Sequence, residues 1–319
     1  MKSKRLLSFL SLSANIDPAL NHEIGSVLKK LIILALPLGI AACAGSSSSS
    51  SSSSSPATNP FSTWSSVSVG TPVNFSGGST STLAIDGTSV QNNSDGAATL
   101  TLGANNNFSA INASNSAGSA SFSAANGDNL QTGFDGTSTL ALNKSNTTVG
   151  VFANPAAYGF EYQTFGAWGA YGNATTPAYS ISVGNPSPAS AIPLTGALTF
   201  TGGASGYYVD ANKFGYVTNS NMVAAVTFDN RTVAFTTTNT SISGGPGSAQ
   251  ISAPNLNMTG TLSYAAGVNA MSGTATTANG MSGNMNGKFY GPALNEIGGT
   301  FAVTGQGIGS VVGAFGGKR

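Results

Sequence analysis

The most regular signal along the chain is an alternation near its end. Met281, Gly283, Met285, Gly287 and Phe289 occupy every second position, with Ser282, Asn284, Asn286, Lys288 and Tyr290 between them. A two-residue period puts one set on each face of a β-strand, so the first set is expected inside and the second in water. Residues 222–228 and 232–238 alternate on either side of Asp229-Asn230-Arg231, the signature of a hairpin. Residues 251–264 carry Leu256, Met258 and Leu262 in the same rhythm, and Phe301-Ala302-Val303 and 311–315 predict the last two strands. Glycines inside strands are costly unless they mark bends or close approach, and a small closed barrel needs both. Phe289, Phe301, Val303 and Phe315 are the residues expected in its interior.

The earlier half is fainter. Residues 66–69, 99–102 and 139–142 alternate over four positions each, and Asp86-Gly87, Asn126-Gly127 and Asp135-Gly136 are turn dipeptides. This predicts antiparallel strands around a thin core. Past residue 60 no stretch shows a 3.6-residue period with caps. The fold class is therefore all-β.

Composition removes several functions. Charged residues are 7% of the chain, against roughly 25% in an ordinary globular protein. From residue 43 onward eight acidic and six basic residues give a net charge of −2. That is no footprint for nucleic acid, which needs several cations against phosphate. Cys43 is the only cysteine and His22 the only histidine. No intrachain disulfide can form. If the leader holding His22 is removed, a Ser-His-Asp triad, a Cys-His pair and histidine-ligated zinc or haem are excluded as well.

That leader is read from order. Lys29-Lys30 precedes a twelve-residue, mostly apolar run from 31 to 42, too short to span a bilayer, which takes about 20. Charge, apolar core and small residues in that order make a secretory signal. Ile40-Ala41-Ala42-Cys43 resembles the bacterial lipobox, which implies a signal peptide over 1–42 and a diacylglycerol on Cys43. The first 26 residues are long for a signal peptide, and a start at Val27 would leave an ordinary one. Ten serines from 46 to 55 have nothing to bury, so 43–60 is expected to be a tether. Ala44 is not the aspartate that holds lipoproteins at the inner membrane, which favours the outer membrane.

Three segments then become familiar together: Lys288-Phe289-Tyr290-Gly291-Pro292-Ala293, Glu296-Ile297-Gly298-Gly299-Thr300-Phe301, and Gly313-Ala314-Phe315-Gly316-Gly317-Lys318-Arg319. They resemble the end of the barrel domain of transferrin-binding protein B and its relatives. Phe165-Gly166-Ala167-Trp168-Gly169, residues 192–200 and residues 255–261 extend the likeness back to about 150. The resemblance implies a strand-rich, handle-like domain over 61–185 followed by a soluble eight-stranded antiparallel barrel over 186–319. It also implies a surface lipoprotein of the outer membrane, anchored through Cys43, monomeric, binding a host protein or an iron source without catalysis. The length suffices for one such lobe, and the family supplies no common ligand-binding residues to transfer. The alternative is a structural or assembly lipoprotein facing the periplasm.

Individual side chains have two readings each. Glu296 is either a catalytic carboxylate or part of a structural glycine-rich motif, and the motif favours structure. A hydrolase would need a second carboxylate within about 5–10 Å. Tyr207-Tyr208-Val209-Asp210 is either an exposed aromatic patch or a barrel strand with one tyrosine inside. Tyr158, Phe160, Tyr162, Phe165, Trp168 and Tyr171 are spaced for burial at a junction more than for stacking on a ligand. Tyrosine can ligate haem iron, so haem stays open as a ligand. Acidic residues are too sparse for a calcium loop, so no metal and no resident cofactor are expected.

Overall fold

The computed structural model describes residues 63–319 apart from 77, 84–88, 93–95, 105–106 and 175. The signal segment, Cys43, the serine tether, the start site and Asp86-Gly87 lie outside the described residues. The strands run, in order, β1 (Pro72–Ser76), β2 (Ser79–Leu83), β3 (Ser89–Asn92), β4 (Ala97–Leu102), β5 (Phe108–Asn115), β6 (Gly118–Ser123), β7 (Asn129–Gly133), β8 (Ser138–Leu142), β9 (Thr148–Ala153), β10 (Gln163–Ala170), β11 (Gly172–Asn173) and β12 (Ala178–Gly184). They continue as β13 (Ala197–Asp210), β14 (Phe214–Thr227), β15 (Thr232–Ser243), β16 (Gln250–Ser252), β17 (Met258–Tyr264), β18 (Met271–Thr277), β19 (Ser282–Tyr290), β20 (Glu296–Gly305) and β21 (Gly309–Lys318). The one α-helical turn among the described residues, Pro155–Tyr158, starts at Asn154, whose side chain accepts from the N–H groups of Ala156 and Ala157.

The chain forms three antiparallel sheets. β1-β4-β5-β6 make one and β3-β2-β12-β10-β9-β8-β7 a second. The third runs β14-β13-β21-β20-β19-β18-β17-β15 and closes because β15 also pairs with β14, giving an eight-stranded barrel. Short β11 and β16 attach at its edges. Closure leaves the barrel without a long open edge.

The predicted interior is found. Phe289, Phe301, Val303 and Phe315 are all within 1% of full burial and share one cluster with Phe200, Met222, Phe235 and Met285. The 229–231 hairpin is also present, with Thr227 opposite Thr232. Three expectations need correction. Residues 66–69 are not a strand: Trp64–Ser66 is a 3-10 turn, because Trp64 turns inward and its indole N–H donates to the Gln163 carbonyl at 2.7 Å. Residues 251–264 are not one strand but two, broken by a 3-10 turn over Pro254–Leu256, where proline has no N–H to give a ladder. Leu256 still reaches the core from that turn.

The third correction concerns the outer face. β15 alternates buried and exposed, as a wall with one wet side should, whereas β20 is buried along its first eight residues. The second sheet lies against the barrel at β20, β21 and β13, so this part of the wall is dry on both sides. Asn286 and Tyr290, expected in water, are buried for this reason, and Lys288 is half-buried.

Candidate functional site

The chain enters the described structure beside one end of the barrel. Trp64 N–H donates to the Glu161 carbonyl at 3.0 Å, and Ser65 donates from its N–H and hydroxyl to Glu161 Oε2 at 3.1 and 2.8 Å. Glu161 N–H in turn donates to Glu296 Oε1 at 2.5 Å, and Tyr162 N–H reaches the same carboxyl at 3.2 Å. Gln163, wholly buried at the head of β10, donates from Nε2 to the Ile297 and Gly317 carbonyls at 2.7 and 3.3 Å. The 64–65 turn, the second sheet and the barrel are thus tied at a single knot, and the Trp64 ring packs on Phe75 and Phe108 of the first sheet.

Glu296 is the first residue of β20 and is 2% exposed. Burial pushes its carboxyl up to about 7, which outweighs the backbone donors that would lower it. It has no ion-pair partner among the described residues. Glu161, the nearest second carboxylate, spends its side chain on Ser65. With backbone donors filling the space around Glu296, a substrate has no approach, and the group acts as a clasp. Tyr290 next to it is completely buried, hydrogen-bonded to Ser182, and pushed up to about 12 by burial.

Glycines explain why the recognisable motif has its form. A Cβ at Gly298 would collide with Gln163 Oε1, and one at Gly316 would sit 2.7 Å from the Phe165 ring. Both point outward at the second sheet, so the wall is flat where the sheet is seated. Of the six aromatic residues grouped in the sequence, Phe160, Phe165 and Trp168 are buried in one cluster with Tyr158 packed against it, Phe165 on the face of β10 turned to the barrel and Trp168 on the opposite face, and Tyr162 is half-buried. Tyr171 is the exception, at 38% exposure. Tyr208 turns toward the barrel core. Tyr207 turns outward but is fully covered, its hydroxyl donating to the Ala170 carbonyl, and burial pushes its pKa upward. The strand reading of 207–210 holds.

The opposite end of the barrel is open. The turn 211–213 and the turn 306–308 flank a cleft of about 570 Å³, with Asp210 and Lys213 on one side and Gln306 to Ser310 on the other. Asp210 Oδ1 accepts from the N–H groups of Asn212 and Phe214, each at 2.9 Å, which fixes the turn and leaves Phe214 47% exposed beside it. Tyr208 and Tyr216 stack with ring centroids 6.2 Å apart on the neighbouring strands β13 and β14. A second recess, of about 330 Å³, opens between Phe134, Asp135 and Tyr158 and the barrel residues 219–221. The barrel interior itself is filled by rings and thioethers, so a ligand meets the mouth, the seam or the outer wall. Among the described residues no group of acidic, histidine or cysteine side chains is placed to hold a metal. No described helix is long and apolar enough to cross a membrane. Cys43, the one site residue read from the sequence, lies outside the described residues. The mouth residues Asp210, Lys213 and 306–310 were missed because turns carry no periodicity; only Gly305, Gly307 and Gly309 marked a turn there.

No curated protein matches the chain. Among solved structures, transferrin binding protein B from Haemophilus parasuis, solved as a point mutant, is similar over 75% of this chain and 44% of its own length, with 16% identity and a TM-score of 0.43. Transferrin binding protein B from serogroup B Neisseria meningitidis is similar over 70% and 50%, with 15% identity and a TM-score of 0.38. The N-lobe of lactoferrin binding protein B from Moraxella bovis is similar over 50% and 76%, with 14% identity and a TM-score of 0.34. This chain spans about half the length of the first two. Residues 192–319 match the family model of the C-lobe and N-lobe beta barrels of Tf-binding protein B. With its eight strands closed and its motif glycines seated against the neighbouring sheet, the C-terminal part of the chain, residues 192–319, is similar to the barrels of the transferrin-binding protein B family.

Proposed function

We propose that the chain is a non-enzymatic outer-membrane lipoprotein, anchored at Cys43 and displayed on the cell surface. Its handle-like part over 61–185 holds a barrel over 186–319 that binds a host protein or another iron source. The observation that carries this reading is the polarity of the barrel. The chain arrives at Trp64, next to Glu296 at the start of β20, while the cleft lies past Thr304 at the other end of the same strand. Ten residues at about 3.3 Å each put roughly 30 Å between them. An anchor at Cys43 would join the folded part through the knot end of the chain, leaving the mouth unencumbered by the attachment. The mouth is wide and of mixed polarity, with Lys213 at its rim and exposed Phe214 next to it in the chain, which suits a protein surface better than an enclosed small molecule. The relatives whose printed names mention transferrin or lactoferrin support a protein ligand of that kind.

The test is done on intact cells expressing the full chain. Protease shaving should remove the domain, and immobilised transferrin, lactoferrin and haem-loaded carriers should be compared for capture. Capture by one of them that is lost with Phe214→Ala and Lys213→Glu together supports the proposal. Protection from protease refutes surface display and leaves the periplasmic reading in its place.

A further inference from the structure

We propose that Asn126 is a self-modification site, whose side chain closes on the Gly127 nitrogen and is converted, with loss of ammonia, into aspartate and isoaspartate. The sequence holds three Asn-Gly pairs, beginning at 126, 279 and 286. Glycine has no Cβ to shield its nitrogen, and its backbone is free to bring that nitrogen against the preceding side chain. The three pairs share this chemistry, and the fold decides which of them can use it.

Asn286 cannot. It is 5% exposed in β19, with Gly287 paired to Met271 on one side and to Gly299 on the other. Ring closure there would require the barrel to open. Asn279 is held in the β18–β19 hairpin. Its Oδ1 accepts from the Thr277 hydroxyl at 2.6 Å, its N–H donates to the Asn255 carbonyl at 3.0 Å, and the Gly280 N–H donates to the Thr277 carbonyl at 2.9 Å. Asn126 is exposed, and among the described residues its side chain has no hydrogen-bond partner. It ends the 3-10 turn Ala124–Asn126, and Gly127 follows in the left-handed region at φ 88°. One bond restrains the attacking nitrogen, from the Gly127 N–H to the Ala124 carbonyl at 3.1 Å. A lone bond of that kind at the surface opens at little cost. The flanks stay pinned meanwhile, because the Asp128 carboxylate accepts from the Ser123 and Lys144 N–H groups, each at 2.7 Å.

The Gly127 nitrogen gives up its proton to hydroxide and bonds to Cγ of Asn126. The Cγ–Nδ2 bond breaks, and the amide nitrogen leaves as ammonia with a proton from water. Water then opens the cyclic imide. Attack at Cγ gives aspartate, and attack at the main-chain carbonyl carbon gives isoaspartate. The net change is one water consumed and one ammonia released, with nothing oxidised or reduced. Either product adds a negative charge beside Asp128. Isoaspartate also lengthens the backbone in 124–128, the connection from β6 of the first sheet to β7 of the second. The conversion accumulates with the age of the molecule and marks that connection.

The experiment holds the purified full chain at mildly alkaline pH, folded and in urea. Sites are mapped by peptide mass spectrometry, and isoaspartate is identified by labelling with an isoaspartyl methyltransferase. In urea the three pairs should convert at similar rates. In the folded chain Asn126 should convert at least about tenfold faster than Asn279 and Asn286, which need larger openings. Asn126→Gln should abolish the isoaspartate label, since the longer side chain closes its ring far more slowly, and Asn279→Gln should leave the label in place. Equal protection of Asn126 and Asn286 in the folded chain overturns the proposal. So does isoaspartate label that survives Asn126→Gln.

Discussion

Glu296 offers the sharpest physical test of how the sheets and barrel are joined. Its carboxyl rises from an ordinary 4.5 to about 7, chiefly because burial disfavours the charged form. The native state therefore holds a proton that the unfolded chain gives up between these values. The sign follows from linkage: the contribution to stability is fully present below about 4.5, is lost as pH rises through about 7, and is flat beyond. At about 1.36 kcal/mol per unit, the whole loss is about 3 kcal/mol. This runs opposite to the usual behaviour of a salt-bridged carboxylate, which stabilises as pH rises.

The assay is urea unfolding of the wild-type chain and of Glu296→Gln across that window. Glutamine keeps a carbonyl oxygen for the Glu161 and Tyr162 N–H donors but cannot ionise. Between mildly acidic and mildly basic pH the wild type should lose about 2–4 kcal/mol more than the variant, and the two should converge at the acid end. The difference between the two chains removes the contributions of other carboxyls common to both. Identical pH profiles, or a wild type that gains stability relative to glutamine as pH rises, would show that the backbone donors dominate and the reasoning is wrong.

Other changes probe the rest of the structure. Phe289, fully buried against the rings of Phe200, Phe228 and Tyr264, should cost about 3–5 kcal/mol as Phe289→Ala in denaturant unfolding; Val223→Ala on the exposed wall should cost about 0.5 kcal/mol or less. Gly298→Val should force the second sheet off the barrel near Gln163, read as faster limited proteolysis of 63–185 with the barrel still folded; an unchanged digestion pattern would contradict the close contact. Cys43→Ser should abolish labelling by a fatty-acid analogue and leave the precursor uncut, and equal labelling would remove the lipid anchor from the account.

What could be read in the sequence follows from how much each element relies on itself. The free wall of the barrel alternates because one side is wet, so the 222–238 hairpin was visible. β20 and β21 are buried on both faces. There alternation fades, and the glycine motif, not periodicity, made them recognisable. Trp64 could not be placed from local pattern, since its partner Gln163 is 99 residues away. The same holds for Glu296: nothing nearby says that its oxygens accept from residues 134 and 135 positions earlier. Asn286 and Lys288 looked like ordinary solvent-facing positions because the sheet that covers them is encoded some 200 residues upstream.

The joint between sheet and barrel is built unlike either core. The cores are rings, thioethers and branched aliphatics. The facing surfaces carry instead Ser81 and Ser180 on one side and Ser205 and Thr300 on the other, each with a buried hydroxyl that finds no partner. Small residues allow the two sheets to approach closely, but they bury little apolar area, so dispersion and the hydrophobic effect contribute less per residue here than in the barrel. Placement must then come from a few directional anchors: Gln163 on two carbonyls, Glu296 on two N–H groups, Tyr290 on Ser182, and Asn219 on Thr137 and Ser138. Such a joint is specific in register yet modest in strength, which makes it responsive to single changes at Glu296 or Gly298. The mouth carries none of these anchors. Its turns can therefore change composition without disturbing either the barrel closure or the seat of the second sheet, the arrangement expected of loops that carry recognition on a rigid scaffold.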